Sequence, residues 1–264
     1  MMKLIRWFVL ETLIVLARLT APFRKPCIPV FVYHSIDHSQ ASISLAPEIF
    51  EQHIDYLRSR RISLLSCTEA IAQQQAGTIL RKSAILTFDD AYTTIEPWIE
   101  NLLSQKETAT IFVPSVWIGQ SNKWDINRRE IAQIKIMTAD QLKALKAKGC
   151  DFGAHTRTHP NLTEISTQDL RTELVGVREE LKEQIDDIAL TIAYPYGAHN
   201  DKVIETAEKA GYAAGFTTQL GYLDAQTDLL RIPRFPTNIS LQVFRLIVHG
   251  GYGWYRKLQD GLFG

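Results

Sequence analysis

Short apolar runs separated by helical patterns are the feature that most constrains the fold of this chain. Most of these runs are continuous rather than alternating, and they are rich in β-branched residues. Continuous runs of this length are typical of strands buried on both faces of a sheet. The sequence therefore predicts strands at residues 29–34, 62–65, 84–88, 109–113, 151–154, 190–194, 213–217 and 230–235.

The segments between these runs carry helix signals. One helix is predicted to begin at Pro47, because proline is tolerated in the first turn of a helix. Residues 138–141 have the spacing of a capping box, and residues 169–185 carry an apolar stripe at helical spacing. Strands that alternate with helices predict an α/β fold with a parallel sheet, either a barrel or an open doubly wound sheet.

Two adjacent carboxylates, Asp89 and Asp90, follow the run at residues 84–88. Side chains alternate across a strand, but where the strand ends the chain can turn both toward one side. Two like charges side by side are unfavourable unless a cation lies near them. The pair therefore indicates a metal site, with a solvated turn or a helix cap as the alternative.

Two histidines, His155 and His159, directly follow the run at residues 151–154. Imidazoles four residues apart can converge on one ion, and Pro160 discourages a continuing helix. The pair is then carried by a loop at a strand end. Two histidines and one aspartate would leave coordination positions open for water and substrate.

A third motif, Tyr-Pro-Tyr-Gly at residues 194–197, follows the run at residues 190–194. Its proline lacks a backbone donor and stiffens the loop, and Gly197 permits a backbone angle that other residues avoid. An ordinary turn from strand to helix is the alternative.

Taken in order, the three motifs resemble those of the NodB-type polysaccharide deacetylases, also called carbohydrate esterase family 4. The resemblance covers roughly residues 29–245, and weaker matches lie at residues 33–35, 109–112 and 124–125. It implies an α/β fold, namely the distorted (β/α) barrel of this family. In barrels of this kind, catalytic residues lie at the C-terminal ends of the strands.

The resemblance also implies a function and a set of roles. Asp90, His155 and His159 would bind one divalent metal ion, with zinc expected first and iron, cobalt or nickel as alternatives. Asp89 would be the general base, and the backbone N–H of Tyr196 would help to hold the oxyanion. The expected reaction removes N-acetyl groups from an N-acetylated sugar or polysaccharide. A hydrolase of sugar O-acetyl esters or of other amides, or an inactive carbohydrate-binding relative, are the alternatives.

The sequence departs from the family pattern at two catalytic positions. Many members have an arginine where this chain has Ala193, and that arginine orients the catalytic aspartate. Arg234 is a candidate replacement, with a surface ion pair as the alternative. The usual late motif that supplies the general acid is also unclear. His249 is one candidate for that role, and His34 is another, each with a core or surface histidine as the alternative.

The N-terminal segment differs in composition from the rest of the chain. Residues 1–25 are predicted to form an apolar or amphipathic segment, and residues 26–264 the single catalytic domain. The charged positions of the segment fall on one arc of a helical wheel, and they are Lys3, Arg6, Glu11 and Arg18. This pattern favours a helix in a membrane interface, with Arg24 and Lys25 as basic anchors. A signal sequence and a helix packed on the domain are the alternatives. We therefore expect a membrane-associated or exported protein, with a cytoplasmic location as the remaining option.

The net charge of zero gives no indication of a nucleic-acid partner, so we expect a glycan substrate and no nucleic acid. The three cysteines, Cys27, Cys67 and Cys150, form neither a metal-binding pair nor a disulfide framework. We expect each of them to be a small buried residue.

Overall fold

A curved and mainly parallel β-sheet forms the centre of the protein. The structure is a computed structural model, which describes residues 2–39, 41–128, 131 and 133–262. Within these residues the main sheet has nine strands, and a second sheet is formed by β2 and β3. The strands are β1 (Ile28–Tyr33), β2 (Ser35–Ile36), β3 (Ser44–Leu45), β4 (Ser63–Leu65), β5 (Ser83–Phe88), β6 (Thr110–Val113), β7 (Asp151–Ala154), β8 (Thr191–Ala193), β9 (Ala214–Phe216), β10 (Tyr222–Leu223) and β11 (Phe235–Pro236).

Helices surround this sheet. They are α1 (Met2–Thr20), α2 (Pro47–Ser59), α3 (Cys67–Gln75), α4 (Glu96–Ser104), α5 (Ala139–Ala147), α6 (Thr167–Ile185), α7 (Asp201–Lys209), α8 (Leu241–Val248) and α9 (Tyr252–Leu262). The predicted helix at Pro47 is α2, and the predicted capping box is present where Thr138 and Gln141 begin α5. A second capping box, formed by Ser66 and Glu69, begins α3.

The sheet curls toward a barrel. Its strands follow the order β10, β1, β5, β6, β7, β8, β9, and every pairing along β1 to β9 in this order is parallel. A short segment then spans the gap between the two ends: Ile232 pairs with Phe216 of β9, and Phe235 pairs with Phe31 of β1. This arrangement confirms the predicted distorted barrel.

The last predicted strand is the exception among the eight. Residues 230–235 were expected to form a regular strand, but Leu229–Arg231 form a 3-10 turn and only Phe235–Pro236 are a strand. The chain is irregular here because it pairs with β9 at one residue and with β1 three residues later. Arg234 lies between these two points of pairing.

The N-terminal helix α1 packs on the domain. Leu10, Ile14 and Ala17 are buried, and Glu11 forms a bidentate ion pair with Arg245 of α8. Another side of α1 stays exposed and apolar. Its exposed large side chains are Trp7, Phe8, Val15, Leu16 and Leu19. The side chains of Lys3 and Arg6 lie outside the described part of the structure, so the predicted charged arc is seen only at Glu11 and Arg18. In the described residues, no helix combines the length and the hydropathy that crossing a membrane requires.

We predict that α1 contributes to the stability of the domain through its buried side. Replacing Ile14, which is fully buried, by alanine should lower the free energy of unfolding by about 2–5 kcal/mol, because a cavity remains where the side chain was. Denaturant-induced unfolding followed by circular dichroism measures this loss. The exposed Leu16 is the control, since Leu16→Ala should change stability by no more than about 0.5 kcal/mol. Equal effects of the two substitutions would show that α1 does not pack as described.

Candidate metal centre

The polar motifs meet at the C-terminal ends of three strands of the parallel sheet. Asp89 and Asp90 follow β5, His155 follows β7, and Tyr196 follows β8. The segments after β5 and β7 leave their strands with a ladder hydrogen bond intact: the backbone N–H of Asp89 donates to the carbonyl of Tyr33, and that of His155 to the carbonyl of Val113, both at 2.9 Å. Because the strands are parallel and in register, the residues that follow them lie side by side.

Asp90, His155 and His159 form a buried cluster of potential metal ligands. One atom of each lies within 4.8 Å of the others. The Nε2 atoms of His155 and His159 are each 3.4 Å from Oδ1 of Asp90. Two ligand atoms about 2.0–2.2 Å from a tetrahedral ion are separated by a similar distance of about 3.3–3.6 Å. Oδ1 of Asp90 is buried and has no hydrogen-bond partner, as expected of an atom placed to bind an ion. The donor set therefore fits one divalent metal ion.

The two histidine rings are oriented by their surroundings. Nδ1 of His155 bonds to the backbone carbonyl of Ala193 at 2.8 Å, and only a protonated Nδ1 can donate there. In the neutral ring, this leaves the lone pair of Nε2 facing Asp90. His159 stacks on Trp124, with ring centroids 4.6 Å apart, and meets the edge of Tyr196 at 4.9 Å.

The loop that carries both histidines is fixed to α6 by a buried carboxylate. Glu173 accepts hydrogen bonds from the backbone N–H groups of Arg157 and Thr158 and from the hydroxyl of Thr158. Glu173 occupies the inner side of α6, three residues after the buried Leu170. Its carboxylate thus holds the loop in a shape in which both imidazoles point to Asp90.

The buried position of the cluster decides its protonation. Burial lowers the pKa of His155 to about 4, and burial together with His155 holds the pKa of His159 well below its usual range. Both rings are therefore neutral at pH 7, the form that binds metals. Burial, followed by the charge of Asp89, raises the pKa of Asp90 well above its usual range. A cation at this position would oppose that effect and favour the ionised carboxylate.

Asp89 forms a buried ion pair with Arg234. Nη1 and Nη2 of the guanidinium donate to the two carboxylate oxygens at 2.7 and 2.8 Å. Arg234 is 1% exposed, and it also donates to the backbone carbonyl of Thr217 and to the hydroxyl of Thr87. Burial by itself would raise the pKa of Asp89, but Arg234 and then His155 bring it below its ordinary value. Arg234 thus reaches the aspartate that Ala193 cannot reach, and the alternative of a surface ion pair is excluded.

His34 lies on the open side of Asp89. Its Nε2 is 4.0 Å from Oδ2 of Asp89, and its side chain is 33% exposed. Burial of the ring lowers the pKa of His34, and the charge of Asp89 opposes this shift. Of the two histidines considered as general acids, His34 is the one that the structure brings to the cluster.

His249 lies elsewhere. It ends α8, its Nε2 is 2.7 Å from the hydroxyl of Tyr56, and its electrostatic neighbours are Arg18, Arg60, Arg245 and Arg24. The helix that carries it packs beside β1 and points it away from the motif loops. The structure therefore does not bring His249 to the candidate metal centre.

Several residues around the centre hold left-handed backbone angles. These are Asp90, Ala91, Thr156, His159 and Tyr196. Each such angle costs about 1–3 kcal/mol for a residue other than glycine, and such costs tend to cluster at functional sites. At Tyr196, which lies in the Tyr-Pro-Tyr-Gly motif at residues 194–197, φ is 59° and ψ is 7°.

No local sequence motif assigns a role to Trp124 or Glu173. Trp124 belongs to the weak motif match at residues 124–125, and its stacking on His159 depends on a loop whose path no local pattern indicates. Glu173 did leave a signal, because an acidic residue on the apolar stripe of a helix needs a buried partner.

The comparisons with known proteins place this site in a family. The family model for polysaccharide deacetylases matches residues 76–215, which is more than half of the chain and includes Asp89, Asp90, His155, His159 and Tyr196. The chain belongs to the polysaccharide deacetylase family. This confirms the resemblance that was inferred from the three motifs.

Individual relatives agree with this assignment. The protein YxkH of Bacillus subtilis (strain 168) is 28% identical over 200 residues, which are 75% of this chain and 67% of that protein. The poly-beta-1,6-N-acetyl-D-glucosamine N-deacetylase of Staphylococcus aureus (strain MRSA252) is 25% identical over 224 residues, which are 81% of this chain and 74% of that enzyme. Among solved structures, the Streptococcus pyogenes deacetylase PplD in complex with acetate has the same fold, with a TM-score of 0.73, 24% identity, and coverage of 86% of this chain and 99% of PplD.

We predict that the deacetylase chain depends on the Asp89–Arg234 pair for its stability. Arg234→Met should lower the free energy of unfolding by about 3–5 kcal/mol, because it leaves a carboxylate buried without its partner. The double variant Asp89→Asn/Arg234→Met should recover much of this loss, since no charge remains buried. Denaturant-induced unfolding in the presence of a metal chelator measures both effects without a contribution from bound metal.

Arg231 provides the control for that experiment. It lies three residues away and pairs with Asp201 and Asp228 at the surface. Arg231→Met should therefore cost only about 0–1 kcal/mol. If Arg234→Met were as mild as Arg231→Met, the buried pair would not have the importance that its geometry indicates.

Proposed function

We propose that this protein is a metal-dependent hydrolase that removes N-acetyl groups from an N-acetylated polysaccharide. The observation that carries the proposal is the buried cluster of Asp90, His155 and His159, with the Arg234-paired Asp89 beside it. The family gives the general reaction, deacetylation of a polysaccharide. The Staphylococcus aureus relative is named for an N-acetylated glucosamine polymer, which supports an amide rather than an ester as the substrate.

In this proposal Asp90, His155 and His159 hold one divalent metal ion, and zinc is the first candidate for this donor set. When bound, such an ion would act as a Lewis acid that polarises the amide carbonyl and makes water a better nucleophile. An amide needs this help because its carbonyl is a poor electrophile. The neutral imidazoles and the unpartnered oxygen of Asp90 are what the chain contributes to binding the ion.

Asp89 acts as the general base. Its Oδ2 is 4.0 Å from Nε2 of His155, farther than the 3.4 Å of Asp90, so Asp89 is beside the donor set and not part of it. Arg234 keeps Asp89 ionised and fixes its orientation with two directed hydrogen bonds. Each carboxylate oxygen has a second lone pair, with which it can accept the proton of an attacking water.

His34 and Tyr196 complete the proposed machinery. His34 faces Asp89 from the exposed side, where the leaving amine would depart, and it passes to the amine the proton that Asp89 takes from the attacking water. Tyr196 offers its backbone N–H to the oxyanion from the loop after β8. The atoms balance: water adds to the carbonyl carbon, the C–N bond breaks, and acetate and a free amine are released.

The place of action is also part of the proposal. A polysaccharide substrate favours an exported or membrane-associated enzyme of the cell envelope over a cytoplasmic one. Residues 1–25 are proposed to touch a membrane surface without crossing it. The exposed apolar side chains of this segment support the contact, and among those that the structure describes Phe23 has the largest exposed fraction, 89%.

We predict that the two neighbouring aspartates have separable roles. Asp90→Asn should lower metal content, whereas Asp89→Asn should keep the metal and lower turnover about 10²–10⁴-fold. Metal content is measured by elemental analysis, and turnover as acetate released from a panel of N-acetylated and O-acetylated glycans. Preference for O-acetylated members of the panel would favour the esterase alternative. Near-normal acetate release by Asp89→Asn would exclude this residue as the base.

We predict that His34→Gln lowers deacetylation of N-acetylated oligosaccharides about 10²–10⁴-fold while metal content stays the same. The loss should be much smaller with an aryl acetate, because a phenolate leaves without being protonated. His38→Gln is the matched control, since His38 is an exposed histidine four residues away that pairs with Glu48. An equal loss on both substrates would mean that His34 is not the proton donor.

A further inference from the structure

A cavity lies at the end of the barrel opposite the candidate metal centre. This cavity of 690 Å³ is lined by the residues that precede β1, β4 and β5, together with the C-terminal parts of α1 and α8. Strand β5 separates the two ends, since Lys82 lines the cavity immediately before it and Asp89 follows it. A strand of this length spans roughly 20 Å. The cavity is therefore well removed from the candidate metal centre.

The cavity concentrates positive charge. None of the described residues that line it is acidic, and its cationic side chains are Arg18, Arg24, Lys25, Arg60, Arg61, Arg81 and Lys82. All of these except Arg24 and Arg60 are exposed. A nearby carboxylate, Asp224, acts on Cys27 at the edge of the cavity. Because the whole chain has no net charge, gathering so many cations here makes the remaining surface net negative.

Part of this charge is fixed in place by the fold. Arg24 donates to the backbone carbonyls of Ala17, His249 and Gly250, and Arg81 donates to the carbonyl of Ala21. These bonds hold guanidinium groups with neutral partners, so their charge is not cancelled. Such an arrangement favours an anion with several oxygen atoms, such as a phosphate group.

Apolar side chains share the rim of the same cavity. Val15 and Leu19 line it directly, and Leu16 and Phe23 are exposed close by in the chain. The opposite side of α1 is buried against the domain, so the helix cannot turn to hide these side chains. Cations beside exposed aliphatic and aromatic groups are the composition of a surface that lies on a membrane interface.

We propose that this basic cavity binds the phosphate head groups of an anionic membrane, while the exposed apolar side chains of α1 and Phe23 enter the interface beside it. The proposal deepens the membrane contact proposed for residues 1–25, and it is independent of the chemistry at the metal centre. It also sets an orientation. With the cavity on the membrane, the C-terminal ends of the strands face away from the bilayer, toward a polymer outside it.

The test uses the full-length protein and vesicles. We expect it to sediment with vesicles of phosphatidylglycerol and phosphatidylcholine in equal parts, and much less with phosphatidylcholine alone. Binding should weaken as NaCl is raised from about 0.1 M to about 1 M, because the screening length falls from about 10 Å to about 3 Å. The double variant Arg61→Asn/Lys82→Asn should bind the anionic vesicles about 25-fold more weakly, or about fivefold for each charge removed.

The chain offers a matched control for this variant. Arg61, Lys82 and Lys106 all precede strands of the sheet and have nearly the same left-handed backbone angle, with φ of 53°, 58° and 59°. Asparagine tolerates this angle well. Lys106 does not line the cavity, although it lies at the same end of the sheet, so Lys106→Asn/Lys143→Gln, which removes the same charge outside the cavity, should weaken vesicle binding much less than the cavity variant does.

The outcomes separate the possible partners. Loss of vesicle binding in the cavity variant but not in the control would support the proposal. Equal binding of the two variants would overturn it. Thermal stabilisation by inorganic phosphate, with no binding to anionic vesicles, would also overturn it and indicate a site for a soluble phosphate. Acetate release from a soluble oligosaccharide should be the same in both variants. Failure of the catalytic proposal would therefore appear in the acetate assay and not in the vesicle assay.

Discussion

The buried ion pair between Asp89 and Arg234 is the interaction on which the rest of this structure depends. It joins the end of β5 to the segment that spans β9 and β1, so the same contact closes the barrel and places the carboxylate at its mouth. A pair of this kind is costly to bury and more costly to break. The fold therefore fixes the ionised state of Asp89 before any substrate arrives.

The pair also gives the two neighbouring aspartates different charge preferences. Arg234 compensates the charge of Asp89, whereas burial and Asp89 itself disfavour the charge of Asp90. One carboxylate is thus compensated by the chain, and the other lies beside two neutral histidines in a donor set that could hold a cation. Environments that shift the pKa values of two like groups in opposite directions commonly mark distinct chemical roles. The loop clamped by Glu173 completes the arrangement by holding both imidazoles in place.

Much of this could be predicted from the sequence, because the strands are buried on both faces and the motifs follow strand ends. Seven of the eight predicted strands appear, and the metal-ligand set meets as expected. The failures share a cause. Residues 230–235 look like a strand, but their shape is set by pairing with two distant strands. His249 looks like a motif residue, but the packing of α8 directs it to the other end of the barrel. Tertiary contacts of this kind leave no local pattern.

The two ends of the barrel differ in chemistry for the same topological reason. In a parallel sheet all strands start at one end and finish at the other, so residues that precede strands gather at one face and residues that follow them gather at the opposite face. Here the first group is cationic and the second carries the aspartates and histidines. Because about 20 Å of packed strand lies between them, changes at one end should add independently to changes at the other. Substitutions in the basic cavity should therefore leave the candidate metal centre unchanged, and substitutions at the metal centre should leave the cavity unchanged.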